Sequence, residues 1–283
     1  MPLFFIISGY LFFINLPEHY DFGVFKRKWV SRVRSLLVPY LICNGLFLIY
    51  VIAIDLLHGE HVNISVLSAF WSYTGGCPLM VPTWYLRDLM VVCLFAPIIW
   101  LIIKYTNILL PITLTICWIA NFWYEVPGLG IRAFLFFTIG AFVAYKKADI
   151  IEFVRPRKLW YIHLLTFFIL YGVFIYNSSE IIHKMAILAS FPVWICFASF
   201  ITLGINKKCS SAFVTGTFFV FLYHFPIAHR MPVYLTKLWR GAEPSVVFCY
   251  FTGAIITTLS LLLVYYFGKK FMPHLFTLIV GGR

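Results

Sequence analysis

The sequence predicts an all-α, polytopic transmembrane helix bundle. Composition is the first observation behind this prediction, because 62% of the 283 residues are hydrophobic and only 11% are charged, unlike a soluble globular protein. The second is the length of the apolar runs, which could cross a bilayer as continuous helices. These runs do not alternate between polar and apolar residues, as the strands of a membrane barrel would.

Nine apolar runs mark the predicted spans of this chain. The first starts at residue 1 and ends before Glu18, the first charged residue. The predicted spans are 1–16, 36–57, 84–103, 108–124, 131–146, 158–176, 185–205, 212–228 and 245–267. Because the connections between them are too short to fold alone, we expect one integral membrane domain over residues 1–283.

The distribution of lysine and arginine predicts the orientation of the bundle, because short cation-rich loops stay in the cytoplasm. Most cations follow the odd-numbered spans or close the chain, which predicts a cytoplasmic C-terminus. These cations are Lys26, Arg27, Lys28, Arg32, Arg34, Lys104, Lys146, Lys147, Arg155, Arg157, Lys158, Lys207, Lys208, Lys269, Lys270 and Arg283. The other connections hold Arg132, Lys184, Arg230, Lys237 and Arg240.

Nine spans with a cytoplasmic C-terminus would place Met1 outside the cell. Ten spans with both ends inside are the more natural arrangement. We therefore expect that a first helix is missing ahead of this chain, so that the domain is N-terminally truncated.

The remaining composition excludes several classes of function. The net charge of +12 is explained by the cytoplasmic loops and by contact with anionic membrane lipids, so no nucleic-acid partner is expected. The cysteines are scattered without a metal-binding spacing, which argues against disulfides and structural zinc. His58 and His61 in an outer connection have only Glu60 beside them, and no metal site is expected.

The outer connection from His58 to Thr83 contains a half-apolar stretch, residues 65–73, followed by a turn with Gly75, Gly76 and Pro78. This pattern predicts an interfacial or re-entrant element that turns back to the next helix and could roof a pocket.

Polar residues inside the spans are the best guide to function, because each is costly there unless it is paired or hydrated. Arg87 and Asp88 give the strongest signal, within about five residues, roughly 6 Å, of the outer end of their span. Adjacent residues point in different directions on a helix, so we expect different partners for them, with Trp84 on the same face. Two interpretations stay open: an interfacial tryptophan with a snorkelling arginine, or a polar cavity.

Three further groups have competing explanations. His224 is either an ordinary core histidine or a site residue. Ser8 with Gly9 either lets two helices pack closely or lies at the same depth as Arg87 and His224 and meets them if their spans adjoin. The basic stretch at residues 26–34 is either a cytoplasmic anchor or a site for a phosphorylated donor, because closely spaced lysine and arginine bind phosphate well.

Four segments together resemble the acyltransferase-3 family of integral membrane acyltransferases. They are PLFFIISGYLF (2–12), KRKWVSRVRSLLVPYL (26–41), PTWYLRDLMVV (82–92) and FLYHFPI (221–227), in this order and spacing. The closing GGR is also similar to bacterial members. The resemblance covers essentially the whole chain.

The resemblance implies an enzyme of the bacterial inner (plasma) membrane that performs O-acetylation. Its members move an acyl group, often acetyl, from a cytosolic acyl-CoA to a hydroxyl of a sugar in a surface polysaccharide or glycolipid of the cell envelope. Acetyl-CoA is then a co-substrate, with no bound cofactor and no metal. The implied catalytic candidates are Ser8, Arg87, Asp88 and His224; the donor-binding candidates are Lys26, Arg27, Lys28, Arg32 and Arg34; and the substrate-pocket candidates are Gly9, Trp84, Tyr85 and Tyr223.

The resemblance also implies a helix ahead of the Phe-Phe-x-x-Ser-Gly element that carries a basic residue and, about eleven positions later, a catalytic histidine. This chain does not contain that segment. A sugar hydroxyl needs a positioned base, for which His224 is the candidate here. Two other interpretations stay open: a truncated non-catalytic relative, and a glycan or lipid transporter.

Overall fold

The computed structural model describes residues 2–17, 21–59, 65–123, 125–148, 157–204, 211–238 and 243–282, and over these residues the protein is all-helical. An isolated bridge between Thr74 and Cys77 is the only β-type pairing in these ranges. The helices are α1 (Pro2–Phe13), α2 (Phe22–Arg32), α3 (Val38–Leu57), α4 (Val66–Trp71), α5 (Trp84–Leu94), α6 (Ala96–Thr106), α7 (Leu109–Ile119), α8 (Ile131–Tyr145), α9 (Arg157–Asn177), α10 (Glu180–Gly204), α11 (Ser211–Leu238), α12 (Glu243–Phe271) and α13 (Pro273–Ile279).

The prediction of an all-α membrane bundle is confirmed in its class. Four described helices are long and apolar enough to cross a bilayer, and a fifth span results if the bent pair α5 and α6 counts as one. Those four helices are Phe22–Leu57, Trp160–Asn177, Glu180–Ser199 and Val247–Phe271. The predicted number of nine spans therefore stays a prediction.

The predicted span 84–103 is wrong as one continuous helix, because it is interrupted at Phe95. Pro97 lies in the first turn of α6 and has no N–H to donate to the carbonyl four residues earlier. Helix α11, in contrast, is longer than the predicted span. It continues ten residues beyond the predicted end at residue 228, to Leu238, because hydropathy measures membrane compatibility and not the tendency to be helical.

The chain forms two compact units. The first comprises Met1–Phe25 and Val92–Lys208, and the second comprises Lys26–Val91 and Cys209–Arg283. In the first unit α1 packs closely against α8. A Cβ at Gly9 would overlap the carbonyl oxygen of Phe137, and one at Gly140 would overlap the carbonyl oxygen of Ile6.

In the second unit the basic stretch and the predicted span 36–57 belong to one helical segment. Helix α2 passes into α3 through a π-helical turn at Val33–Leu37, which lies just before Pro39 near the start of α3. Since Pro39 lacks an N–H, the carbonyl of Ser35 loses its usual α-helical partner, and the wider turn accommodates this loss. The donor-site candidates therefore lie on the same continuous helical segment as the apolar span.

Candidate functional site

The outer connection folds back along α3 and does not remain at its end. Ala69 and Leu79 pack around Leu48, and the N–H of Leu79 donates to the carbonyl of Ala69 at 2.7 Å. Further down, the hydroxyl of Tyr40 donates to the carbonyl of Phe70. The connection thus packs along α3 between the middle of that helix and its first turn.

Asn44 is the residue of α3 that anchors this return. It is fully buried, its side-chain oxygen accepts from the N–H of Met80 at 3.0 Å, and its amide donates to the hydroxyl of Thr83 at 3.0 Å. Asn44 lies 13 residues before Leu57, which is about 20 Å along the helix. The start of α5 is therefore held against the first half of α3.

Arg87 and Asp88 form an ion pair with each other, which contradicts the expectation of different partners. The Nη2 atom of Arg87 lies 2.8 Å from Oδ1 of Asp88, and both side chains are buried. Nε donates to the same oxygen at 2.9 Å. Adjacent Cβ atoms on a helix point about 100° apart. The arginine side chain is long enough for its guanidinium to turn back towards the Asp88 carboxylate.

The other end of the Arg87 guanidinium holds the returning connection. Nη1 donates to the carbonyl of Gly76 at 2.7 Å and to the carbonyl of Trp71, and the guanidinium lies 5.4 Å from the centre of the Trp71 ring. These carbonyls come from the end of α4 and from the following turn. Gly75 and Gly76 have φ of +56° and +77° there, a region that favours glycine. Arg87 therefore acts as a clamp, in the sense that it binds two carbonyls of the returning connection and holds it against α5, and it is also a candidate site residue.

We call Tyr40, Asn44, Thr83, Arg87 and Asp88 the central polar cluster. Their side chains are all buried, and together they join α3, the returning connection and the start of α5. Burial of so many polar groups is costly without partners, which the hydrogen bonds above supply.

Helix α11 approaches the same level of α3. The thiol of Cys43, next to Asn44 in the chain, donates to the carbonyl of Leu222 at 3.3 Å. That carbonyl has no α-helical partner because Pro226, four residues later, lacks an N–H. The ring of Tyr85 also meets the ring of Phe221 edge to face, with centroids 6.1 Å apart.

His224 follows Leu222 by two residues on α11 and is half-buried. Its Nδ1 lies 2.9 Å from the carbonyl oxygen of Phe221 and 3.1 Å from that of Val220. Because a carbonyl only accepts, these contacts assign the proton of the neutral ring to Nδ1. The lone pair of Nε2 is then available to accept a proton, which is what a general base requires.

Tyr223 presents a buried hydroxyl. The phenol oxygen has no hydrogen-bond partner among the described residues, while its ring packs against Phe219 with centroids 4.7 Å apart. A buried hydroxyl without a partner costs about 1–3 kcal/mol. This feature is consistent with a role in holding a substrate. Trp84 of α5, which is also a candidate for the substrate pocket, is half-buried.

The basic stretch occupies α2 and the π-helical turn. Lys26, Arg27 and Arg34 are exposed, whereas Lys28 and Arg32, one turn apart, are half-buried. Burial, and secondly the charge of Arg32, lowers the pKa of Lys28 from its usual value. An anion bound beside Lys28 would raise this pKa again, because a nearby negative charge favours the protonated ammonium group.

The C-terminal segment packs against this basic stretch. Gly281 and Gly282 have φ of +78° and +76°, and a Cβ at Gly281 would lie 2.8 Å from the Cα and carbonyl oxygen of Ser35. A Cβ at Gly282 would lie 3.3 Å from Cδ of Arg34. Only glycine fits the backbone conformation and the close approach at Gly281.

Ser8 and Gly9 belong to the first unit. Gly9 is buried at the α1–α8 crossing described above, which shows that the packing explanation holds for this glycine. Ser8 precedes it and is half-buried. All other site candidates belong to the second unit.

The first unit also contains a polar pocket of about 260 Å³ at the ends of α7 and α10. Lys184 donates to the carbonyl of Trp118 at 2.8 Å and pairs with Glu180 at 3.0 Å, and Asn121 donates to Glu180 at 3.0 Å. The Nε1 atom of Trp123 donates to the carbonyl of Leu129 at 2.9 Å, which fixes its partly exposed ring. The predicted orientation places this pocket on the outer side.

Comparison with models of protein families shows to which family this chain belongs. Residues 1–266 match the model of the acyltransferase-3 family, described as an acyltransferase domain. The chain belongs to this family. No curated protein and no solved structure matches it. Every candidate site residue of this membrane acyltransferase-family protein lies within the matched range.

Sequence reasoning missed part of the site in this family member. Asn44 was recognisable as a polar residue in an apolar run, but nothing local connects it with Met80 and Thr83.

Among the described residues no group of three or more histidine, cysteine, aspartate or glutamate side chains could hold a metal. Glu60 and His61, the companions of His58, lie outside the described residues.

Proposed function

We propose that this protein is a membrane O-acyltransferase that moves an acyl group, acetyl in the simplest case, from cytosolic acyl-CoA to a sugar hydroxyl of a surface polysaccharide or glycolipid. The family supports acyl transfer, and the observation that carries the finer proposal is the helical rod Phe22–Leu57. One end of this rod bears the basic stretch, and its middle bears Asn44 of the central polar cluster.

The dimensions of this rod suit a CoA thioester. Arg34 and Asn44 are ten residues apart, which corresponds to about 15 Å along the helix. Arg32 and Arg34 would bind the phosphates of the donor at the predicted cytoplasmic end. The extended pantetheine arm would then carry the thioester along α3 towards Asn44 and towards the contact of Cys43 with Leu222 of α11.

His224 is the proposed general base. Its Nε2 would take the proton of the sugar hydroxyl as that oxygen attacks the thioester carbonyl, and the C–S bond then breaks as the tetrahedral intermediate collapses. The imidazolium returns the proton to the departing CoA sulfur. The products are the sugar ester and CoA with a free thiol, so atoms and charge balance.

Oxyanion stabilisation and positioning fall to other candidates. Asp88 holds Arg87, and Arg87 keeps one Nη2 N–H that the contacts above do not use, which could donate to the developing oxyanion. The buried hydroxyl of Tyr223 is a second donor. Ser8 stays a candidate of the first unit for the same role. Trp84 and Tyr85 would line the substrate pocket.

The polar pocket at the ends of α7 and α10 is our proposed contact for the acceptor. Sugars bind proteins through hydrogen bonds from carboxylates, amides and guanidinium groups, combined with contact to an aromatic ring face. Glu125, Glu180, Asn121, Arg132 and Trp123 line the pocket. Its volume of about 260 Å³ suits a single sugar residue better than a whole glycan.

The full chain in lipid nanodiscs, supplied with acetyl-CoA carrying a labelled acetyl group and with extracted envelope glycan and glycolipid, tests the proposal. We expect release of CoA thiol that depends on the acceptor, and label that is bound to the acceptor through an alkali-labile ester. Exchange of both Arg32 and Arg34 for Gln should raise the apparent KM for acetyl-CoA without changing insertion. Lys270→Gln is the matched control, since it removes a cation at the predicted same side.

Two results would overturn the proposal. Absence of thiol release and ester formation, with acetyl-CoA still bound, would favour a non-catalytic relative. Uptake of glycan or lipid across the membrane without thioester cleavage would favour a transporter.

A further inference from the structure

A largely apolar cavity of the second unit lies between α11 and α12. Its volume of about 600 Å³ is in the range of small-molecule sites. Lys269 borders one end, and no carboxylate lines the cavity among the described residues. The apolar walls include Phe213 of α11 and Leu259, Leu262, Leu263 and Tyr266 of α12.

The cavity extends over one half of a membrane span. Helix α12 is long and apolar enough to cross a bilayer over Val247–Phe271, and Lys269 lies in its last turn. Ten residues separate Leu259 from Lys269, which corresponds to about 15 Å along the helix, and the hydrocarbon core of a bilayer is about 30 Å thick. The cavity therefore reaches from the headgroup level of one leaflet towards the middle of the bilayer.

A buried tyrosine holds the ammonium group of Lys269, which is half-buried. Its Nζ donates to the hydroxyl of Tyr265 at 3.1 Å and lies 5.5 Å from the centre of the Tyr265 ring. That ring is 3% exposed and packs against Phe219 and Phe276, with centroids 5.6 and 6.1 Å away. The core of the second unit therefore positions this ammonium group.

The charge of Lys269 has no carboxylate partner among the described residues. The acidic residue nearest to it in sequence, Glu243, begins α12 at the opposite end of the helix. An ammonium group carries three N–H donors, of which the tyrosine hydroxyl accepts one. Partial burial of a charge without a counter-ion is unfavourable, so the two other donors favour an anionic ligand.

We infer that this cavity binds an anionic glycerophospholipid, with an acyl chain along the leucines and the phosphate at Lys269. The apolar walls and the cation lie at the depths where such a lipid has its chain and its phosphate. The predicted orientation places Lys269 at the cytoplasmic leaflet, whose anionic lipids are attracted to basic residues.

A second copy of this chain is the competing occupant of an apolar cavity in a membrane. Helix interfaces in bilayers favour small residues, because these allow close approach. The walls here are bulky, and Leu259 and Leu263 are exposed. Gly216 of α11 is already used inside the unit, since a Cβ there would lie 3.1 Å from Leu262 and Tyr265 of α12. The cavity therefore suits a flexible acyl chain better than another helix.

The first arm of the test separates a lipid site from simple anchoring by cytoplasmic lysines, which needs only the charge. The full chain in mild detergent is titrated with phosphatidylglycerol or phosphatidylcholine of the same chains, and bound lipid is counted by native mass spectrometry. Lys269→Gln should weaken phosphatidylglycerol binding about tenfold, because a charge-assisted contact to phosphate is lost. Lys104→Gln, at an exposed lysine near the end of α6, removes the same charge and should bind as the wild type. Equal binding by both variants would overturn the inference.

The second arm locates the acyl chain. Phosphatidylglycerol with a photoreactive diazirine in one acyl chain is added to the full chain in phosphatidylcholine nanodiscs, and labelled peptides are identified by mass spectrometry. We expect labelling within residues 259–266. Leu263→Trp should fill the cavity and reduce this labelling, whereas Ile255→Trp, at a residue of the same helix with similar exposure (59% against 58%), should not. Labelling spread evenly over the lipid-facing helices would overturn the inference.

Two further outcomes would assign the cavity to another occupant and overturn the lipid. Displacement of phosphatidylglycerol by pyrophosphate, with unchanged binding in Leu263→Trp, would identify a soluble phosphate ligand. A dimer that Leu263→Trp dissociates, without bound phosphatidylglycerol, would identify a second copy of the chain. Neither arm involves an acceptor or acyl transfer, so the outcome does not depend on the proposed enzymatic function.

Discussion

Arg87 and Asp88 are consecutive residues of α5 whose side chains pair at 2.8 Å, while the far end of the guanidinium binds the carbonyls of Trp71 and Gly76. The pair therefore fixes the path of the returning connection. Any catalytic use of Arg87 depends on this arrangement, because it determines which N–H groups remain to meet a substrate.

Replacement of Arg87 by Gln should loosen the connection at residues 65–80 and leave Asp88 buried without its ion-pair partner. Removal of one partner of a buried pair costs about 3–5 kcal/mol. Hydrogen exchange of the full chain in nanodiscs should show faster exchange at the Leu79 N–H, which bonds to Ala69. Arg132→Gln, at an exposed arginine of the other unit, is the control, and equal exchange in both variants would contradict the clamp.

Gly9→Ala should separate α1 from α8, because the new methyl group would overlap the carbonyl of Phe137. Overpacking of this kind costs about 1–3 kcal/mol. The expected result is a lower midpoint of thermal unfolding in detergent. Gly172→Ala in α9 is a matched control, since a Cβ there meets nothing within 4 Å; an equal drop in that variant would show that the effect is not specific to the crossing.

His224→Gln tests the proposed base. The change should lower kcat for acetyl transfer by about 10²-fold to 10⁴-fold while KM for acetyl-CoA stays similar. The pH–rate profile should lose its acidic limb, because the group that must be deprotonated is gone. His229→Gln lies on the same helix and should leave both features unchanged. A full pH profile retained in His224→Gln would remove this histidine from the mechanism.

Trp123→Ala tests the proposed acceptor pocket. Loss of the ring face should raise KM for the glycan about tenfold, with the KM for acetyl-CoA unchanged. The neighbouring Phe122, which is 84% exposed, supplies the control variant Phe122→Ala. If both variants behave alike, the pocket is not the acceptor contact.

Gly281→Ala should disturb the packing of the C-terminal segment on the basic stretch. The new methyl group would lie 2.8 Å from Ser35 atoms, and alanine disfavours a φ of +78°. We expect weaker acetyl-CoA binding by calorimetry, because Arg34 borders the same contact. Gly59→Ala is the control for a strained glycine with open space around it. Equal affinity of both variants for acetyl-CoA would separate the C-terminal segment from donor binding.

The sequence by itself determined the all-α class, the sites of most apolar helices and the basic stretch before α3. These features are local, because a run of apolar side chains or a group of cations is recognisable without knowledge of its partners. It also indicated which polar residues deserve attention, since an arginine or histidine inside an apolar run is costly wherever it lies.

Only the tertiary structure decided how these elements meet. The return of the outer connection to Asn44, the pairing of Arg87 with Asp88 and the contact of Gly9 with the Phe137 backbone all depend on segments remote in sequence or on the path of a long side chain. Such contacts form when distant groups satisfy each other's hydrogen bonds or exclude each other's volume, and neither hydropathy nor spacing records which partners will be available.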